Sequence, residues 1–282
     1  MLLIIGSDND PNTQRVADHS YIQDINYIQI DPSLTEYQTV QWTFGDRHLL
    51  LNGNPSHPKA VYLRHDVFSA GVKVWSTALV RTVSAFLLAN PHVRMLNRNS
   101  MLRENNKTSN LLLAHALGMQ IPKTTVFAGA PKAMKVQFAG EDVITKPSHG
   151  GDYAARPTDL PEDTMNYASA FVQERLPGTN YRVFVIGGEV FGFEVKSDML
   201  DYRVDECTQV IESAPPAPVA VHSVAMAQAC HFDYCALDFR LNGQGEWVFL
   251  EINSFPMFSV FDDSCKNRLV EAQLAFLMKN AT

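Results

Sequence analysis

The segment Ala236–Ser254, ALDFRLNGQGEWVFLEINS, carries the reading of the whole chain. Its turn formers Asn242-Gly243-Gln244-Gly245 split it into two strands. Pairing Asp238 with Glu251 puts Leu237, Phe239 and Leu241 on one face with Val248, Leu250 and Ile252, because strand side chains alternate with period two. The other face gathers Asp238, Glu251 and Asn253, along with Trp247 and Phe249. Two carboxylates and an amide within reach of one ion suit Mg²⁺, which commonly takes one or two carboxylates and fills its shell with water and substrate phosphates. A solvated outer face of an amphipathic hairpin fits the same letters. Against that plainer reading, two aromatics share the acidic face. The acids also stand mid-strand, where a solvated surface more often carries Thr or Lys.

Working outward, Val143–Gly151 (VITKPSHGG) is a strand ending in Lys146 and a glycine-bearing loop with Gly150 and Gly151. A lysine offers a compact cation for phosphate oxygens, and glycines let backbone N–H groups approach an anion. An ordinary strand end fits equally well. Phe171–Gly178 (FVQERLPG) is a strand running into a turn, with a backbone edge able to read an adenine, or simply a strand-to-loop junction. Arg182 and Arg203 are either solvated or, if buried among carboxylates, phosphate clamps.

The 282 residues carry 23 Lys+Arg against 30 Asp+Glu, a net charge of -7. That balance argues against nucleic acid and polybasic membrane binding, which need a basic footprint. No run of about 18 apolar residues occurs, and Met1–Gly6 is too short and uncharged for a signal sequence. Cys207, Cys230, Cys235 and Cys265 lack CxxC spacing and read as reduced thiols of a cytoplasmic protein. Short apolar runs at Met1–Ile5, Ile25–Ile30, Val40–Phe44, His48–Leu51 and Ala60–Leu63, then a helix over Val72–Leu88, predict an α/β first domain. A new unit opens near Asn97, with a helix over Asn105–Leu117 and strands at Thr124–Phe127 and Val143–Lys146. From Phe171 strands dominate, and Gly187-Gly188 marks a two-residue hairpin turn. Val219–Ala229 and Cys265–Met278 read as helices.

The order of these pieces resembles the ATP-grasp superfamily: Lys107 before a helix, Lys146 with its glycine loop, Gln173-Glu174, Arg182, then Asp238…Glu251-x-Asn253. No GxxxxGK[ST] or GxGxxG is present. Within the superfamily the chain looks closest to the microviridin-type peptide macrocyclases (graspetide enzymes), with the ribosomal-protein glutamate ligases next. Val61-Tyr62-Leu63-Arg64, Asn106–Thr124, the run Tyr181–Arg203 and the hairpin carry this. The resemblance implies an α/β (α+β) ATP-grasp fold of three subdomains, 1–96, 97–170 and 171–282, with ATP between two sheets of the central and C-terminal parts.

It further implies that Lys107, Lys146, Gly150 and Gly151 touch ATP phosphates. Gln173, Glu174, Arg175 and Leu176 would line the adenine, chiefly through main-chain groups, with Asn180 near the ribose where relatives often place an acid. Arg182 and Arg203 would neutralise the transferring phosphoryl group, and Asp238, Glu251 and Asn253 would hold Mg²⁺. The implied enzyme is an ATP-dependent carboxylate–amine or carboxylate–hydroxyl ligase acting through an acyl-phosphate on a peptide or protein. An amino-acid or small-molecule ligase of the glutamate-adding type and a non-catalytic ATP-binding module are the rival readings. A homodimer is common among such relatives, though no stretch here dictates one. The segment Ser254–Phe258, following Asn253, departs from the glycine-bearing continuation common among them. His65 and His149 are candidate bases by chemistry alone.

Overall fold

The computed structural model describes residues 1–32, 34, 38–64, 73–101, 105–148, 153–161, 165–202, 205 and 207–279. They form two compact units: Met1–Met101 with Phe232–Tyr234 and Met257–Thr282, and Leu102–His231 with Cys235–Pro256.

The first unit is built on a parallel sheet. Strand β1 (Leu2–Ile5) is buried throughout, as its unbroken aliphatic run predicts for a parallel strand covered on both faces. Helix α1 (Pro11–Ile22) and β2 (Tyr27–Ile30) follow. Strands β3 (Val40–Gln41), β4 (Leu49–Leu51) and β5 (Asn54–Ser56) make a small antiparallel sheet. Then come β6 (Ala60–Leu63), α2 (Lys73–Ala89) and β7 (Arg94–Met95), giving the parallel order β2-β1-β6-β7. Leu79, Val83, Phe86 and Leu87 of α2 close a core over Leu3, Ile5 and Val61.

The second unit holds two sheets. Helix α3 (Lys107–Ala116) is capped by Asn106, whose Oδ1 accepts the Ser109 N–H at 3.0 Å, and ends at Gly118 in the left-handed region. Strand β8 (Thr124–Ala128), α4 (Pro131–Gln137), β9 (Val143–Pro147) and β10 (Ser169–Glu174) follow, and the strands pair antiparallel in the order β8-β10-β9. The second sheet has five strands: β11 (Asn180–Ile186), β12 (Glu189–Lys196), β13 (Gln209–Glu212) and, after α5 (Ala217–Cys230), β14 (Tyr234–Leu241) and β15 (Trp247–Asn253), ordered β13-β12-β11-β14-β15. Gly187 and Gly188, both at positive φ, make the predicted two-residue turn between Ile186 and Glu189. The chain returns to the first unit with α6 (Ser259–Ser264) and α7 (Arg268–Met278), so the helix predicted from Cys265 starts at Arg268 and is preceded by a short helix that the sequence reading did not contain.

Helix α1 escaped the sequence reading because its apolar spacing is sparse, yet Asp10-Pro11 writes its start. Asp10 accepts the N–H groups of Asn12 and Thr13 at 3.4 and 3.1 Å, and Pro11 stands where its missing N–H is not needed. A side chain at Gly6 would strike Thr13, so glycine lets the end of β1 lie against α1. Asn12 in turn accepts the N–H groups of Phe258 and Ser259 at 2.7 and 3.0 Å, tying α6 to α1. Among the described residues no helix is long and apolar enough to cross a membrane. All four cysteines are free thiols, Cys235 and Cys265 buried and Cys207 exposed.

Arg64 donates from Nε to Asp10 at 2.5 Å in a nearly buried pair. Burial pushes the Asp10 carboxyl up, but Arg64, Asn12 and Thr13 outweigh it and hold it below its ordinary value. A carboxyl depressed in the folded state stabilises the fold above its unfolded pKa, and that contribution fades as pH falls through the folded value. Asp10→Ala should therefore cost about 3–5 kcal/mol near neutral pH, because it strands a buried guanidinium and uncaps α1. The cost should shrink in acid. Urea unfolding of both proteins at neutral and acidic pH measures this difference.

Candidate active site

Alternation along the strands builds the site. On β11, Asn180 and Arg182 share a face, and on β14 Asp238 and Arg240 do the same. Strand β15 adds Glu251 and Asn253. The predicted register holds where Ala236, Leu237 and Asp238 pair with Asn253, Ile252 and Glu251. Between Asp238 and Phe239 it slips by one, so Phe239 pairs with Phe249 and Leu241 with Trp247. This bulge corrects the sequence reading, which put Trp247 and Phe249 on the acidic face and Leu250 on the apolar one. One inserted residue reverses the alternation beyond it. Phe249 is fully buried with its ring 5.8 Å from that of Phe239, and Leu250 lines the cleft instead.

Arg182 grips Asp238 with both prongs, Nε to Oδ1 at 2.6 Å and Nη2 to Oδ2 at 2.7 Å. Burial alone would lower the guanidinium pKa, but Asp238, Tyr202 and Glu251 outweigh it and raise it further. The Tyr202 ring lies 5.7 Å from the Arg182 carbon. Asn253 donates to Glu251 at 3.1 Å and approaches Asp238 at 3.5 Å, so the three expected metal ligands stand together. Lys107, the first residue of α3, reaches Glu251 at 3.2 Å. That helix is held to β15 by Asn105, which donates to the Ile252 carbonyl at 3.0 Å and accepts from Asn110.

Lys107, Arg182, Tyr202, Asp238 and Glu251 line one cleft with Ile144 and Lys146 of β9, so it lies between the two sheets of the second unit, and Asn253 adjoins it through its bond to Glu251. Among the described residues its walls carry four cations, Lys107, Lys146, Arg182 and Arg240, against three carboxylates, Asp201, Asp238 and Glu251. Such a surface suits a polyanion accompanied by a divalent cation. Two hard carboxylates and an amide oxygen fit Mg²⁺ by donor chemistry, with one complication: both Asp238 oxygens already serve Arg182.

The turn after β10 behaves differently from a side-chain reader. The Glu174 carboxylate accepts the Lys123 N–H at 2.8 Å and its own N–H binds the Lys123 carbonyl, so its side chain is occupied. Gln173 is buried and donates to Thr124 at 3.0 Å. Arg175 makes a loose surface pair with Asp142, Leu176 is buried, and Asn180 lines the cleft. Gly150, Gly151, Arg203, His65 and His149 lie outside the described residues. Arg240 was not singled out in the sequence, although its position two residues after Asp238 places it on the same face. Asp201, nearly buried, accepts the Ala154 N–H at 3.1 Å at the rim of the cleft. His231 is the left-handed cap of α5, a structural role.

No protein-family model and no curated protein sequence matches the chain. Solved structures do. The ATP-grasp ligase PsnB complexed with minimal precursor is 23% identical over 98% of both chains, with a TM-score of 0.78. A Chryseobacterium gregarium RiPP-associated ATP-grasp ligase in complex with ADP and a leader and core peptide is 20% identical, covering 100% of this chain and 97% of that one, at 0.76. The macrocyclase MdnC of Microcystis aeruginosa MRC, bound with precursor peptide MdnA, is 16% identical over 99% and 100%, at 0.75. The chain has the ATP-grasp fold.

The Arg182–Asp238 pair makes the two acids unequal targets. Asp238→Asn leaves a buried guanidinium short of its partner and should cost about 3–5 kcal/mol of stability. Glu251→Gln, whose lysine partner is part-exposed, should cost about 0–1 kcal/mol. Denaturant unfolding of the two variants side by side tests the ranking.

Proposed function

We propose that the protein is an ATP- and Mg²⁺-dependent ligase that activates a carboxylate as its acyl-phosphate and transfers the acyl group to an amine or hydroxyl, acting on a peptide. The observation that carries this is the convergence of Lys107, Lys146 and Arg182 with Asp238 and Glu251 in one cleft between the two sheets of an ATP-grasp fold, with Asn253 hydrogen-bonded to Glu251 beside it. A free carboxylate is a poor acyl donor because its leaving group would be oxide. ATP supplies the phosphoryl group that makes phosphate the leaving group. The carboxylate oxygen attacks the γ-phosphorus and ADP departs; the acceptor then attacks the acyl carbon, loses its proton, and phosphate leaves.

The chain's share is positioning and charge neutralisation. Lys146 and Lys107 would bind the phosphates, and Arg182 and Arg203 would offset charge on the group in transit. Asp238, Glu251 and Asn253 would hold Mg²⁺, which supplies positive charge against the phosphates. The turn Glu174–Leu176 would meet the adenine with main-chain groups, since the Glu174 side chain is engaged elsewhere. Segments 1–96, 97–170 and 171–282 would be the N-terminal, central and C-terminal parts, with Met257–Thr282 contributing to the first compact unit. The free cysteines fit a reducing, cytoplasmic setting.

A peptide substrate is supported by the neighbours PsnB and MdnC, whose complexes contain a precursor or precursor peptide. A small-molecule carboxylate is the second reading. It is favoured by the VanG D-Ala:D-Ser ligase of Enterococcus faecalis, at 13% identity over 98% of both chains and a TM-score of 0.65. ADP release measured across a peptide and amino-acid library, with loss of water from the product mass, separates the two. Formation of ADP with no acceptor in either set would overturn ligation. Glu251→Gln should lower turnover roughly 10²–10³-fold while keeping the fold, the usual cost of removing one preorganised charge-stabilising group. Near wild-type turnover would remove Glu251 from the metal site.

A further inference from the structure

The hairpin joining β4 and β5 turns on Asn52-Gly53, both at positive φ, as a two-residue type I′ turn requires. That turn fixes the register: Leu51 faces Asn54, Leu50 faces Pro55 and Leu49 faces Ser56. One step further, His48 and His57 stand opposite each other. Leu49, Leu51 and Ser56 are buried, so alternation sends the two histidines to the outer face, His48 half-buried and His57 exposed. Hydrogen-bonded and non-hydrogen-bonded pairs alternate along an antiparallel ladder, and Pro55, which has no N–H, marks its pair with Leu50 as non-hydrogen-bonded. The histidine pair, two steps on, is of the same kind, in which side chains lie closest. The ring centres are 5.4 Å apart, with 40° between the planes. Among the described residues neither imidazole makes a hydrogen bond or an ion pair.

A tetrahedral ion with metal–nitrogen bonds of about 2.1 Å holds its coordinating rings with centres roughly 5 Å apart, which is the spacing found here. We propose that His48 and His57 bind one divalent transition ion of the Zn²⁺ class on the outer face of the small antiparallel sheet. Neutral imidazole nitrogens suit such an ion, whereas Mg²⁺ takes oxygen donors, so this ion differs in kind from the one assigned to Asp238 and Glu251. No group of three or more His, Cys, Asp or Glu able to hold a metal occurs among the described residues. Two protein ligands therefore leave the remaining positions to water, which makes an open site and not a closed structural one. The ion would pin β4 to β5 at the end remote from the turn, just past the last ladder pair. The plainer reading is a surface contact between two rings. The inference does not depend on the nucleotide reading.

The test is calorimetric titration of the full chain with Zn²⁺, in excess Mg²⁺ to occupy oxygen-donor sites, alongside thermal unfolding with and without Zn²⁺. Wild type should take up one ion that His48→Gln and His57→Gln each lose. His92→Gln, at an exposed histidine outside the pair, should keep it. An ion held only by the folded chain raises the unfolding midpoint, so Zn²⁺ should raise that of wild type and of His92→Gln alone. Unfolding without Zn²⁺ checks that the substitutions leave the fold intact. Uptake that persists in either His48→Gln or His57→Gln overturns the proposal, because the chelate needs both rings. Loss of the same ion in His92→Gln overturns it as well, since the ion then sits elsewhere. A wild type that takes up no Zn²⁺ also overturns it, and leaves the ligase reading untouched because no nucleotide enters the readout.

Discussion

The guanidinium of Arg182 and the carboxylate of Asp238 are buried against each other, and the site is organised around that pair. Removing either charge from water costs several kcal/mol, recovered only when the geometry is close to ideal. Here both prongs of the arginine meet both oxygens at 2.6 and 2.7 Å, and the Tyr202 and Phe184 rings lie within 6.0 Å. The pair holds β11 beside β14, so Asn180 and Arg240, which also line the cleft, are placed by counting two residues from it. It also joins a group assigned to metal with a group assigned to the phosphoryl transfer.

A second constraint is the bulge between Asp238 and Phe239. Without it, Phe249 and Trp247 would occupy the acidic face and crowd Asp238, Glu251 and Asn253. With it, Phe249 turns into the core against Phe239, and from β15 Leu250 lines the cleft beside Glu251. Edge irregularities of this kind are recurrent next to sites because they re-aim one side chain while leaving the rest of the ladder paired.

Much of the site was legible because it is local. Asp238, Glu251 and Asn253 lie within one hairpin, so turn residues and period-two alternation suffice to bring them together. Lys146 at a strand end and Lys107 at a helix start are likewise marked by neighbouring glycine, proline or cap residues. Helix α1 was missed because its evidence is a cap, Asp10-Pro11, rather than an apolar stripe. The engagement of the Glu174 carboxylate with the Lys123 N–H was invisible because those groups are 51 positions apart in sequence.

The sequence by itself determined most of the strands and helices α2, α3, α5 and α7, the hairpin that gathers the acids, and the absence of glycine-rich phosphate loops of other folds. These follow from composition and from periodicities of two and 3.6 residues, which act over a few neighbours. Only the tertiary structure decided that Arg182 clasps Asp238 across 56 positions, that Lys146 of one sheet and Arg240 of the other line one cleft, and that Phe249 turns inward. Those outcomes depend on how buried charges find partners and how one inserted residue reverses a strand, and neither is written in any single stretch of chain.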